Sequence, residues 1–366
     1  MNAVDRECDQ AVDEAVAVAV RAAGPYASAV TVAVGRGDRE EVRCHGRAAR
    51  APDAPPCTPD TVFELGSVSK TFTALLLAEM AARGELALDD PVERRLPPHW
   101  RTARGRSARP IRLLHLATHT SGLPRLPPGL LAGAVPDWFG NPYAAFGDEQ
   151  LGESLARTAV RCAPGSRYRY SNYGVGLLGR LLAETGGLTY GELLAERVSG
   201  PLGLTATSCR PDAAGLAVGY RHGRARPPWL MPGLPGAGAV RSSGADLLRY
   251  LRTHAESRSR PPGSAAGVSV GAELGAALAD VQRLRLRLPG STDRLGLVWM
   301  HRHSGGRDLY FHSGGTRGFT TFVGFSPQGP TTVAALANTA PALDGRFVQA
   351  GYEVLRTAAA GAVPQG

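Results

Sequence analysis

The chain has 366 residues, 43% of them hydrophobic, and carries a formal charge of +9 from 41 Lys+Arg against 32 Asp+Glu. It reads as an ordinary globular protein able to bury a large core, and no run approaches the eighteen consecutive apolar residues of a membrane span. The basic balance does not point to nucleic acid: Arg101, Arg104, Arg106, Arg109 and Arg112 cluster, and Arg283, Arg285 and Arg287 alternate with leucines, but no aromatic residues interleave with either set.

Cys8, Cys44, Cys57, Cys162 and Cys209 are odd in number and scattered, so their spacing encodes neither a disulfide framework nor a zinc site. No metal or cofactor is expected. The first ten residues are acidic where a signal peptide is basic, and the expected location is the cytoplasm, with no membrane anchor.

Residues 9–23 place acids early and Arg21 late, the order a helix dipole favours. Segments 27–34 and 40–47 predict a hairpin around Gly35-Arg-Gly-Asp38. Gly66 ends an extended stretch, and a helix from about Ser67 turns Phe72, Leu75, Leu76 and Met80 inward before stopping at Gly84. From about 85 to 235 short helices alternate with Pro- and Gly-rich loops, with helical signals at 111–117, 149–160, 173–184 and 190–198. Segments 296–303 and 308–313 flank a Gly305-Gly306 turn suited to a tight hairpin. Segments 319–325 and 331–337 continue a meander, and 347–359 closes the chain with a helix. The Ser-, Arg-, Pro- and Gly-rich stretch 252–271 predicts an exposed loop. Strands at both ends with helices between predict an α/β domain built from residues 1–84 and 236–366, with a mainly helical insertion at 85–235.

Lys70 is the only lysine, so the other forty basic residues are arginine. A guanidinium stays protonated in any protein site, whereas a desolvated ammonium can lose its proton, which makes Lys70 a candidate base. Ser67 lies one helical turn upstream on the same face and is a candidate nucleophile. Tyr170-Ser171-Asn172 stands just before a helix, and His312-Ser313-Gly314-Gly315 at the end of a strand. A tyrosine alone is more often a packed aromatic, and a strand histidine is often plain structure.

Gly66-Ser67-Val68-Ser69-Lys70, Tyr170-Ser171-Asn172 and His312-Ser313-Gly314 resemble the three motifs of the penicillin-recognising serine hydrolases. That family includes class C β-lactamases, D-alanyl-D-alanine carboxypeptidases, D-aminopeptidases and β-lactamase-like esterases. Residues 115–124, 200–204 and 312–319 agree, and the similarity runs from about 55 to 340. The resemblance implies an α/β (α+β) fold of the β-lactamase/transpeptidase-like kind: an antiparallel five-stranded sheet flanked by helices, plus a helical domain. It implies Ser67 as nucleophile, Lys70 as base and Tyr170 as proton relay, with Asn172 holding both Lys70 and a substrate amide. The N–H groups of Ser67 and Gly315 would form the oxyanion hole, with Gly314 beside them.

Where most relatives carry the lysine of a Lys-Thr-Gly, this chain has His312, expected to be partly charged near neutral pH. That substitution is similar to the esterase and aminopeptidase branch. Arg317 would supply a substrate-carboxylate contact or lie on the surface. His115 and His119 are expected to hold a helix end near the cleft. Trp138, Tyr143, Trp229 and Trp299 are expected to pack in the core or line the pocket. The expected activity is hydrolysis of a small ester or amide through an acyl-enzyme. The alternative is an acyltransferase or peptide-cyclising thioesterase, which would take a thioester with the same residues.

Overall fold

The computed structural model describes residues 3–100, 104–105, 109–133, 141–160, 162–257 and 271–361. Strand Ala29–Arg36 is apolar and buried nearly throughout because both of its faces are covered; its hairpin partner Arg39–Gly46, at the sheet edge, is polar and mostly exposed. Thr331–Ala337 pairs with the other side of Ala29–Arg36, followed by Thr320–Ser326, Arg307–Gly315 and Met300–Ser304, all antiparallel. Chain segments about 300 residues apart thus become hydrogen-bonded neighbours.

The resemblance implied five strands, and the sheet has eight among the described residues. The long hairpins alone supply six, and the two-residue strands Leu286–Arg287 and Arg294–Leu295 extend the ladder beyond Met300–Ser304. Only Arg287 of the predicted arginine alternation lies in a strand, since Arg285 turns to the Asp280 carboxylate and contacts both of its oxygens. The side chains of Arg101, Arg104 and Arg106 lie outside the described residues.

The alternation of strand side chains divides the core into two layers. Val30, Val32, Val34, Phe322, Val333 and Ala335 pack under the terminal helices Ala3–Ala22 and Arg346–Ala360. Ala29, Ala33, Val323, Phe325, Ala334 and Leu336 face the remaining helices. There the helix Gly244–Glu256 runs into the stretch predicted as a loop, because Leu251 and Ala255 are buried and Arg252 pairs with Glu256; residues 258–270 of that stretch are outside the described residues.

Helix Ser69–Ala82 is buried on every side from Ser69 to Met80. A helix that is apolar all round belongs in the interior, and Lys70 is carried inside with it. No helix among the described residues is long and apolar enough to cross a membrane.

Candidate active site

Strand Val62–Glu64 pairs with Arg241–Ser243 and delivers the chain to Gly66, whose φ of +52° lies in the left-handed region. A 3-10 turn, Gly66–Val68, follows, so Ser67 stands just before the first α-helical residue, Ser69. A Cβ at position 66 would lie 2.6 Å from Gly315 O, and one at Gly314 would lie 2.0 Å from Leu65 O. The strand edge and the Ser67 turn therefore meet backbone to backbone.

Lys70 has no solvent exposure. Its Nζ donates to Ser67 Oγ at 2.9 Å and to the carbonyl of Ala237 at 2.7 Å, while Tyr170 Oη donates to Ser67 Oγ at 2.7 Å. Burial, and then the Arg125 guanidinium, hold the Lys70 amine well below its ordinary pKa. Burial pushes the Tyr170 phenol up, against the Ser67 hydrogen bond and Arg125. The two directions divide the roles open to this pair: Lys70 is the group suited to be an uncharged base, and Tyr170 remains an O–H donor.

Asn172 opens the helix Asn172–Gly186, which Ser171 caps by accepting the Gly174 N–H at 2.8 Å. The expectation that Asn172 would hold Lys70 is corrected: its Nδ2 donates to Tyr143 Oη at 3.2 Å, and Lys70 spends its bond on Ala237 instead. Asn172 Oδ1 is buried without a partner among the described residues. Tyr143 in turn meets Trp229 edge-on at 5.5 Å, whereas Trp299 is core. Trp138 lies outside the described residues.

His312 is also not as expected. Burial lowers its imidazole to about 3, so it is neutral at physiological pH; Nδ1 donates to Ser313 O at 2.9 Å. Antiparallel pairing directs successive N–H groups to alternate sides. Thr316 N–H donates to Phe319 O at 2.9 Å, so Gly315 aims its N–H the other way, toward the Ser67 turn. Ser67 lies in the first turn of its helix, where an N–H has no intrahelical acceptor. Arg317 is half-buried and feels Arg221 and Arg226, which with burial lower its pKa.

Beneath the site, buried Glu64 accepts from the Trp229 N–H at 2.5 Å and from Thr316 Oγ1 at 2.8 Å, with Arg241 3.7 Å away. One carboxylate thus ties together three segments around the Ser67 turn. Sequence reasoning missed Glu64, the Ala237 carbonyl and Arg125. No local pattern marks any of the three, because each reaches the site through contacts between distant segments; Gly236, beside Ala237, packs against Gly179 so closely that an added Cβ would come within 2.9 Å of backbone. His115 accepts the Arg112 N–H and caps its own helix, Leu113–Ala117.

The buried imidazoles set an acid sensitivity. His312 and His254 are both lowered to about 3, below the ordinary 6.5, so the unfolded chain binds more protons across that interval and stability falls as pH drops through it. Thermal melting is expected to be level with respect to these groups above pH 6.5 and to decline toward pH 4. His312→Asn should flatten part of the decline. A slope unchanged in that variant would contradict the neutral assignment.

The sequence model of the Beta-lactamase family matches residues 10–357, and the chain belongs to that family. It is 28% identical over 310 residues to the D-alanyl-D-alanine-carboxypeptidase/endopeptidase AmpH of Escherichia coli K12, covering 83% of this chain and 78% of that one. It is 34% identical over 220 residues to Esterase EstB of Burkholderia gladioli, covering 56% of this chain and 53% of the esterase. A β-lactamase/D-alanine carboxypeptidase structure from Yersinia pestis superposes with a TM-score of 0.79 at 22% identity, over 96% of this chain and 97% of that one. That likeness establishes the β-lactamase/transpeptidase-like fold. The family relationship makes the protein a relative of serine hydrolases named as carboxypeptidase, β-lactamase and esterase.

Proposed function

We propose that the protein hydrolyses a small ester or amide through an acyl-enzyme on Ser67. The observation that carries this reading is the convergence of Lys70 Nζ and Tyr170 Oη on Ser67 Oγ, at 2.9 and 2.7 Å. Uncharged Lys70 takes the hydroxyl proton as Oγ bonds to the substrate carbonyl carbon. The N–H groups of Ser67 and Gly315 hold the oxyanion. Collapse of the tetrahedral adduct breaks the bond to the leaving group, which takes a proton through Tyr170. Water then retraces the path, giving its proton to the Lys70–Tyr170 pair and releasing the acid.

Neutral His312 supports an ester or amide over a β-lactam, since the strand offers no lysine-like cation to a substrate carboxylate. A charge-assisted hydrogen bond contributes about 1.5–3 kcal/mol, so nitrocefin is expected to be turned over roughly 10- to 100-fold less efficiently than by an enzyme whose strand carries the lysine, while p-nitrophenyl butyrate, which has no carboxylate, loses nothing. Denaturing quench during butyrate turnover, followed by peptide mass spectrometry, should find the acyl group on Ser67. An adduct on any other residue would sink the reading.

A further inference from the structure

Tyr170 belongs to neither a helix nor a strand; residues 167–171 are irregular, yet its hydroxyl must meet Ser67 Oγ. Both of its neighbours hang from one residue. The Arg169 N–H donates to the carbonyl of His119 at 2.8 Å, and the Ser171 N–H donates to the Nδ1 of the same histidine at 3.2 Å. The His119 ring, 2% exposed, lies against the Tyr170 ring with centroids 4.5 Å apart. His119 adopts φ +56°, a region uncommon for a residue with a Cβ, and such strain persists only where the surroundings impose it.

Accepting an N–H requires a bare Nδ1, so the ring proton sits on Nε2, which is buried without a partner among the described residues. Burial holds the ring neutral, which keeps Nδ1 an acceptor throughout the neutral range. The ring has no hydrogen bond to Ser67 or Lys70, so its influence on them passes through Tyr170.

We propose that His119 is a positioning residue that grips the backbone on both sides of Tyr170 and sets its hydroxyl on Ser67. This rests on the reading of Ser67 as nucleophile. His119 then acts on proton transfer and leaves substrate binding alone.

Asparagine places Oδ1 where Nδ1 stands and accepts a positive φ, whereas glutamine carries its acceptor one bond too far. His119→Asn is expected to keep the acylation burst within about threefold of wild type, and His119→Gln to slow it by roughly 10²-fold with the substrate dissociation constant, read from the concentration dependence of the burst rate, nearly unchanged. In a Tyr170→Phe background, His119→Gln should cause no further loss, because the residue it positions is already disarmed. Melting temperatures report folding separately.

Additive losses in that cycle, or a folded His119→Asn protein as slow as His119→Gln, would overturn the proposal. Ser67→Ala is run alongside. If it still forms an acyl adduct, the nucleophile assignment fails; if it does not, the His119 cycle judges the clamp alone.

Discussion

Lys70→Arg is expected to slow acylation of Ser67 by roughly 10³-fold, within the range a lost general base spans, even though the formal charge is kept. The amine lies in a dry site, between the Ala237 carbonyl, the Tyr170 ring 5.1 Å away and Ser67. That site makes losing a proton easy for lysine and leaves arginine permanently charged. Since arginine is also larger, Lys70→Met provides the companion variant of similar shape. It should be equally inactive, and it should melt at or above the wild-type temperature because a desolvated amine has been removed.

The pH dependence follows from the same shift. The proposed mechanism needs uncharged Lys70, so kcat/KM should climb with pH through a value below the ordinary lysine range. Between that value and the ordinary one the unfolded chain binds the extra proton, so stability also rises with pH there, and Lys70→Met should lose this rise. Burst kinetics with p-nitrophenyl butyrate check the first part, and melts across pH check the second. A near-normal burst in Lys70→Arg would transfer the base to another group.

Gly314→Ala is expected to cost about 3 kcal/mol of stability, at the upper end of ordinary overpacking, and to slow acylation by roughly 10²-fold, the loss of one oxyanion donor. Its Cβ would lie 2.0 Å from Leu65 O, 2.6 Å from Thr321 Oγ1 and 3.0 Å from Ser67 N. None of these can step aside easily. The Leu65 carbonyl already accepts Thr321 Oγ1 at 2.9 Å, and the Leu65 N–H is tied to Val240 O at 2.9 Å. Relief comes by pushing the strand edge away from the Ser67 turn, which moves the Gly315 N–H from the place where an oxyanion would form. Denaturant melts and burst rates measure the two effects, and wild-type values for both would refute the close-packed edge.

Much of the frame was legible in order and type. The predicted helices at 173–184 and 347–359 correspond to Asn172–Gly186 and Arg346–Ala360, and the Gly305-Gly306 turn joins Met300–Ser304 to Arg307–Gly315. Periodicity reports which face is buried, so these elements carried their own signal. The two-residue strands at 286–287 and 294–295 carried none, since strands that short have no period to read and exist only because Met300–Ser304 offers a free edge.

Ser67 and Lys70 were readable as a pair from spacing and from the absence of any other lysine. Tyr170 and His312 entered only through resemblance, because nothing local distinguishes them from packed aromatics and strand histidines. The partner of Asn172, the carbonyl of Ala237 and the grip of His119 depend on which loops cross, and crossing is a long-range property.

The sequence by itself determined the chemistry on offer: a hydroxyl one turn before the only amine, a phenol ahead of a helix and glycines where backbones must touch. Tertiary structure decided the protonation states, because desolvation depends on atoms brought from across the chain. The surroundings of Lys70 come from residues near 125, 170 and 237, and those of His312 include Lys70 itself. Composition can name a group able to give up a proton, but only the fold supplies the dry surroundings that make it do so.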